Sequence, residues 1–92
     1  MSTANEASEA IKALVGILNG YMPYDGMVGG IVSGGIKMLT EARELLKSPT
    51  EENVQEVLRR VQVCKNNYSP YTSEAPDVMR QIDIVMEKLQ TL

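Results

Sequence analysis

Histidine, tryptophan and phenylalanine are all missing from this chain of 92 residues, and cysteine occurs once, as Cys64. Without histidine, the chain lacks the usual partner of a nucleophilic serine or cysteine and the commonest ligand of protein-bound zinc. A single cysteine excludes an internal disulfide, and Cys64 lies on an apolar helical stripe, where a thiol behaves as a small hydrophobe. These absences predict a protein that is not an enzyme and has no metal site and no cofactor.

Charge of one sign and long apolar runs are also scarce. Nine basic and twelve acidic residues give a net charge of −3, and the basic residues are scattered, which argues against nucleic acid as a partner. Pro23 and Asp25 interrupt the most apolar stretch, so no membrane span is predicted. The polar and acidic start does not resemble a secretory leader, and together with the lone thiol it predicts a cytoplasmic location.

The tetrapeptide Tyr-x-Pro-Tyr occurs twice, at Tyr21–Tyr24 and Tyr68–Tyr71, and holds every aromatic residue of the chain. The two copies are 47 residues apart, and the same offset aligns Thr3 with Thr50. We interpret this as an internal duplication, with a first repeat over residues 3–45 and a second over 50–92.

Apolar residues recur at steps of three and four in both repeats, which predicts α-helices and no strands. The pattern predicts a first helix over residues 4–19 and a third helix with Ser48 as its N-cap and Pro49 at its first helical position. We therefore expect an all-α protein of one domain over residues 1–92. Its predicted form is an antiparallel four-helix bundle of two duplicated hairpins, with both tyrosine corners at one end. An extended stack of the two hairpins is the alternative.

The tyrosine end is the predicted site for a partner or ligand, because tyrosine and amide side chains are typical of protein-binding surfaces. The residues predicted to bind there are Tyr21, Tyr24, Tyr68, Tyr71, Asn19 and Asn66. In the alternative interpretation Tyr21 and Tyr68 merely cap the bundle and leave their hydroxyls in water.

A glycine-rich segment gives a second candidate surface. Gly26, Gly30 and Gly34 are spaced four apart, as in helices that pack closely against each other. We predict an interface between copies of the chain formed by Gly26, Gly30, Ser33, Gly34, Ile36 and Lys37. Alternatively, residues 26–30 form a loop and the second helix begins later. A further alternative is an anion held by the start of that helix at Gly29, Gly30 and Ser33.

These features together favour a non-catalytic interaction protein that self-associates and binds a macromolecular partner, as an inhibitor, immunity or adaptor protein does. In size and helical architecture the chain resembles small bacterial immunity proteins and phage-encoded inhibitors of host systems, although it shares no motif with them. One alternative is an oligomer that sequesters a small molecule or nucleotide, with tyrosines stacked on the ligand and Lys37 or Lys65 facing its charge. Another alternative is a structural assembly subunit.

Overall fold

The computed structural model describes all 92 residues, Met1–Leu92, and the chain is helical throughout, without strands. Four α-helices, α1 to α4, carry the fold, and two short 3₁₀ helices follow α1 and α3. The α-helices are Ala4–Asn19, Ile31–Leu45, Glu51–Tyr68 and Pro76–Gln90, and the 3₁₀ helices are Met22–Val28 and Ser69–Tyr71. The predicted all-α class and the predicted first helix over residues 4–19 are confirmed.

Each α-helix buries one narrow stripe whose residues are separated by alternating steps of three and four, which keeps them on one face. The stripe of α1, for example, is Ala7, Ile11, Leu14 and Leu18. The buried core formed by the four stripes contains no charged side chain, and its most polar members are Cys64 and Tyr68. The fold is therefore held by apolar packing along the helix axes.

Hydrogen bonds at the two ends of the molecule fix the direction of α1 relative to α4. The Ser2 backbone N–H donates to the Thr91 carbonyl at 2.9 Å, and the Tyr21 hydroxyl donates to Asp77 Oδ1 at 2.7 Å. The start of α1 therefore lies beside the end of α4, and the end of α1 lies beside the start of α4. Helix α1 also contacts α2, and α3 contacts both α2 and α4. Both Tyr-x-Pro-Tyr segments consequently lie at one end of the molecule.

The buried positions of α1 and α3 correspond at an offset of 50 residues, not at the predicted 47. Leu18, for example, corresponds to the buried Tyr68. The 47-residue offset instead pairs the buried Ile11 with Leu58, which is only half-buried. Tyr68 is thus the last residue of α3 and part of the core, whereas Tyr21 lies beyond the end of α1. The two sequence copies of the motif therefore occupy different structural positions.

The predicted start of the third helix is wrong by two residues. The N-cap is Thr50, whose Oγ1 accepts a hydrogen bond from the Asn53 backbone N–H at 3.1 Å. Ser48 and Pro49 precede the helix, and the Ser48 carbonyl accepts a hydrogen bond from Asn53 Nδ2 at 2.8 Å. Thr50 takes the capping role because its extended backbone directs its hydroxyl toward the free N–H groups of the first turn.

The predicted glycine stripe does not form, and the alternative that the second helix begins later is confirmed, although residues 26–28 belong to a 3₁₀ helix and not to a loop. Gly26 belongs to the first 3₁₀ helix, while Gly29 and Gly30 have left-handed backbone angles, with φ of 72° and 80°. Glycine adopts this conformation without steric cost, so the pair turns the chain into α2. Of the three glycines in the predicted stripe, only Gly34 lies in an α-helix.

Gly35 provides the space that Tyr68 needs against α2. The Tyr68 hydroxyl donates a hydrogen bond to the Ile31 carbonyl at 2.8 Å, so its ring lies across the helix backbone. A Cβ atom at position 35 would overlap the Tyr68 hydroxyl oxygen and would lie 3.0 Å from its Cζ atom. A glycine at position 35 is therefore required by a close approach between α2 and α3.

Replacing Gly35 by alanine tests this close approach. Alanine normally stabilises a helix relative to glycine by about 1 kcal/mol, but overpacking of a core costs about 1–3 kcal/mol. We expect Gly35→Ala to lower the free energy of unfolding measured in urea. The matched control is Gly16→Ala, because no atom lies within 4 Å of a Cβ at that position, and it should raise stability.

The same substitution in a Tyr68→Phe background identifies the atom responsible. Phenylalanine lacks the overlapping oxygen, so Gly35→Ala should then lower the free energy of unfolding by less than in the wild type. Equal losses in the two backgrounds would show that the Tyr68 hydroxyl is not what requires glycine at this position.

Candidate functional site

All four tyrosines line one pocket of about 500 Å³ at the end of the molecule where both Tyr-x-Pro-Tyr segments lie. We call it the tyrosine pocket. Of its twelve lining residues only Glu74 is not hydrophobic. The others are Leu18, Tyr21, Tyr24, Met27, Val28, Ile31, Val32, Tyr68, Tyr71, Ala75 and Val78. The end of α1, the start of α2, the end of α3 and the start of α4 therefore all contribute to it.

Hydrogen bonds hold Tyr21 and Tyr68 in place, and the expectation that the hydroxyl faces water is wrong for the buried Tyr68. Tyr68 is buried and bonds to the Ile31 carbonyl, while Tyr21 is half-buried and bonds to Asp77. The bond to Asp77 is the main cause that raises the pKa of Tyr21, and burial raises the pKa of Tyr68. These two tyrosines form the fixed part of the pocket.

Tyr24 and Tyr71 form its exposed rim. Their exposed fractions are 55% and 37%, and neither hydroxyl makes a hydrogen bond within the chain. The Tyr24 ring is tilted by 49° against that of Tyr21, with 6.4 Å between the ring centroids. Met27, beside them, is 82% exposed. Large apolar side chains are thus available to a binding partner at this end.

The two asparagines predicted to bind with the tyrosines do not line the pocket. Asn19 is exposed at the end of α1, and Asn66 is exposed on α3, where its Oδ1 accepts a hydrogen bond from Gln62 Nε2 at 3.0 Å. They precede the tyrosines in sequence, but the helical turn directs them away from the pocket.

Most of the aliphatic lining and Glu74 were missed by the sequence analysis. Val28, Ile31 and Val32 line the pocket because the core is open at this end. Glu74 lies three residues beyond Tyr71, in the turn that leads into α4. Its position next to the second motif was the signal that could have identified it.

The tyrosine end carries negative charge only. Residues 18–33 and 66–78 contain Asp25, Glu74 and Asp77 and no lysine or arginine. Asp25 Oδ1 accepts a hydrogen bond from the Ser33 backbone N–H at 2.9 Å, which lowers the pKa of Asp25. The start of α2 is therefore already occupied by a carboxylate, and the predicted alternative of an anion at Gly29, Gly30 and Ser33 is wrong.

The basic residues assigned to a nucleotide do not reach the pocket. Neither Lys37 nor Lys65 is among its lining residues, and Lys65 Nζ lies 3.4 Å from Asp83 Oδ1. A phosphate placed at the pocket would face Glu74 without a compensating cation. The lining thus favours an apolar or positively charged group over an anionic one.

The residues of the predicted oligomer interface do not form one continuous surface on α2. Ser33, Gly34 and Lys37 are exposed on that helix, whereas Ile36 is half-buried and packs against the core. Gly26 is exposed on the first 3₁₀ helix, and Gly30 is half-buried in the turn before α2. An interface between copies at Ser33, Gly34 and Lys37 stays a prediction.

The remaining reactive groups are dispersed. Cys64 is buried, and burial raises its pKa to about 11, so the thiol is protonated at neutral pH. No three histidine, cysteine, aspartate or glutamate side chains are grouped so as to hold a metal ion. None of the helices combines the length and apolar character needed to cross a membrane.

Comparison with known proteins finds no family model that matches the chain, and no curated protein or solved structure that matches it.

Alkaline titration tests the environment of Tyr68. Its pKa in the folded protein is raised above the ordinary value of 10.0, so the unfolded chain releases the phenolic proton first as pH increases. The stability that this group contributes is therefore present below about pH 10 and is lost as pH rises through its raised pKa. We expect the urea midpoint to fall above that pH more steeply in the wild type than in Tyr68→Phe. Parallel curves would contradict the assignment.

Proposed function

We propose that the protein is a non-catalytic interaction protein that binds a macromolecular partner with its tyrosine end, in the manner of an inhibitor, immunity or adaptor protein. The observation that carries this proposal is the tyrosine pocket with its exposed rim. Tyr24, Tyr71 and Met27 leave apolar area in water beside an open apolar pocket, and tyrosine and methionine are enriched in protein interfaces.

The chemistry of the lining supports binding without catalysis. General acid–base and nucleophilic catalysis require a reactive group with a second group that activates it. Glu74 is the only acidic residue that lines the pocket, and no histidine, cysteine, serine or lysine lines it beside Glu74. We therefore propose that the pocket holds a group of the partner without changing it.

The proposal also includes the arrangement of the four helices as a bundle. The stripes with steps of three and four and the opposed directions of α1 and α4 support an antiparallel four-helix bundle of one domain over residues 1–92. The repeated tetrapeptide supports its origin from a duplicated hairpin. The buried, unpaired Cys64 fits a reducing compartment, and a cytoplasmic location is part of the proposal.

Replacement of the two rim tyrosines tests the partner-binding role. The partner is first captured with the wild-type protein from its native source and identified by mass spectrometry, and its affinity is then measured. We expect Tyr24→Ala and Tyr71→Ala each to weaken binding, since buried interface tyrosines often contribute about 2 kcal/mol or more. Ile84→Ala, another exposed apolar residue but on the outer face of α4, is the control and should bind normally. Full binding by both tyrosine variants would refute the role of the pocket.

Self-association is proposed for the exposed face of α2, which would also suit a structural assembly subunit. Gly34 has open space around it, so a leucine there leaves the monomer intact but obstructs a closely packed neighbour. We expect Gly34→Leu to reduce the mass measured by light scattering, and Gly16→Leu on α1 to leave it unchanged. A monomeric wild-type protein would remove this part of the proposal.

A small apolar molecule is the second candidate occupant, favoured by the pocket volume alone. A volume of about 500 Å³ falls within the range of roughly 300–1,000 Å³ typical of small-molecule sites. Anionic nucleotides are a poor fit, because Glu74 lines the site and no lysine or arginine does. Thermal shift with a library of neutral and cationic compounds would reveal such a ligand as a stabilisation that grows with concentration.

A further inference from the structure

Glu74 is the one acidic residue that lines an otherwise apolar pocket, and it is exposed to solvent. No ion pair of the protein includes Glu74, Asp25 or Asp77. Asp25 accepts a hydrogen bond from the Ser33 N–H, and Asp77 accepts bonds from the Tyr21 hydroxyl and the Val78 N–H. Glu74 has only the Ser73 hydroxyl as a partner, at 3.0 Å. Glu74, the carboxylate that lines the pocket, is thus the one that remains free to bind a cation.

The charge distribution acts in the same direction over a longer range. Residues 18–33 and 66–78 contain three carboxylates and no basic residue, so these two segments carry a net negative charge, while Lys65 and Arg80 lie just outside them. Apolar walls strengthen the field of such a charge inside a cleft, because little polarisable solvent is present to screen it. A positively charged group is therefore attracted to the pocket before it makes any contact.

The aromatic lining fits a cation as well. The faces of aromatic rings attract a cation that lies within about 6 Å of the ring centroid, and sets of aromatic rings hold quaternary ammonium groups in this way. All four tyrosines line the pocket, and the rings of Tyr21 and Tyr24 are inclined at 49° with 6.4 Å between their centroids. A bare ammonium ion is strongly hydrated, so moving it from water into this apolar pocket costs free energy. Apolar substituents on the nitrogen reduce that cost.

We propose that the tyrosine pocket binds an organic cation whose charged nitrogen carries apolar substituents, such as a methylated ammonium group, presented by a macromolecular partner. This inference rests on the proposed function and adds the chemistry of the group that enters. Met22, exposed at the same end but outside the pocket lining, is apolar area that a small cation alone does not cover. This uncovered area is the reason for assigning the cation to a macromolecule.

Three compounds of nearly the same shape separate charge from apolar fit: choline, its neutral carbon analogue 3,3-dimethyl-1-butanol, and the anion 3,3-dimethylbutanoate. Each is titrated into the full chain, and binding is followed by the NMR shifts of the tyrosine rings. We expect choline to bind about three- to tenfold more tightly than the alcohol, as cation–π and charge contacts predict. The anion should bind least of all. Added salt should weaken choline binding and leave the alcohol unaffected.

Two matched substitutions assign the effect to Glu74. Glu74→Gln keeps the size of the side chain and should reduce choline affinity by about two- to fivefold without affecting the alcohol. Glu9→Gln makes the same change of charge on α1, outside the pocket lining, and should alter neither compound. Met22→Ser should weaken the captured partner but not choline, because only the partner reaches Met22. If Met22→Ser left partner affinity unchanged, the assignment to a macromolecule would be overturned.

The possible failures of this inference and of the proposed function are distinguishable. Equal affinity for choline and the alcohol, or no binding of choline, overturns the cation inference. In that case the partner-binding role still stands if Tyr24→Ala and Tyr71→Ala weaken the captured partner. If those variants bind the partner fully while choline is bound selectively, the proposed function fails and the pocket is a site for a free cation.

Discussion

The contact between Tyr68 and Gly35 is the constraint on which the tyrosine end depends. The phenol ring at the end of α3 lies across the start of α2, and its hydroxyl donates to the Ile31 carbonyl. A side chain at position 35 would occupy the space of that hydroxyl. The close approach brings α2 and α3 together at the end of the molecule where Tyr24 and Tyr71 are exposed to solvent. These two tyrosines lie in the two 3₁₀ helices. The buried Tyr68 thus helps to hold the end of the molecule at which Tyr24 and Tyr71 are exposed.

The two copies of the Tyr-x-Pro-Tyr tetrapeptide occupy different structural positions in the two halves of the chain. In the first half, the turn through Gly29 and Gly30 follows a 3₁₀ helix of seven residues, so Tyr21 lies outside α1. In the second half, α3 continues to Tyr68 and the 3₁₀ helix has three residues. Because of this difference, Tyr21 lies in the wall of the pocket and Tyr68 lies in the core. The motif therefore provides four aromatic rings in unequal positions around one pocket.

The sequence was sufficient to predict the all-α class and the first helix, because both follow from local spacing. The steps of three and four determine which face of each helix is buried, and the proline in each motif ends the preceding helix. The glycine stripe was wrong because spacing alone does not reveal a left-handed backbone at Gly29 and Gly30. The buried positions of α1 and α3 do not follow the 47-residue spacing of the motifs, because α3 includes Tyr68, the first residue of its motif, whereas α1 ends at Asn19.

The sequence shows that Glu74 lies three residues beyond Tyr71, but it does not show which residues surround Glu74 in the fold. It matters because of its neighbours, which come from helices far apart in the sequence. The carboxylates of Asp25 and Asp77 are already used by N–H and hydroxyl groups within the fold. Glu74 remains in a pocket of aromatic and aliphatic side chains without a cation of its own. An apolar pocket with one unneutralised carboxylate selects for an occupant that is itself both apolar and positively charged.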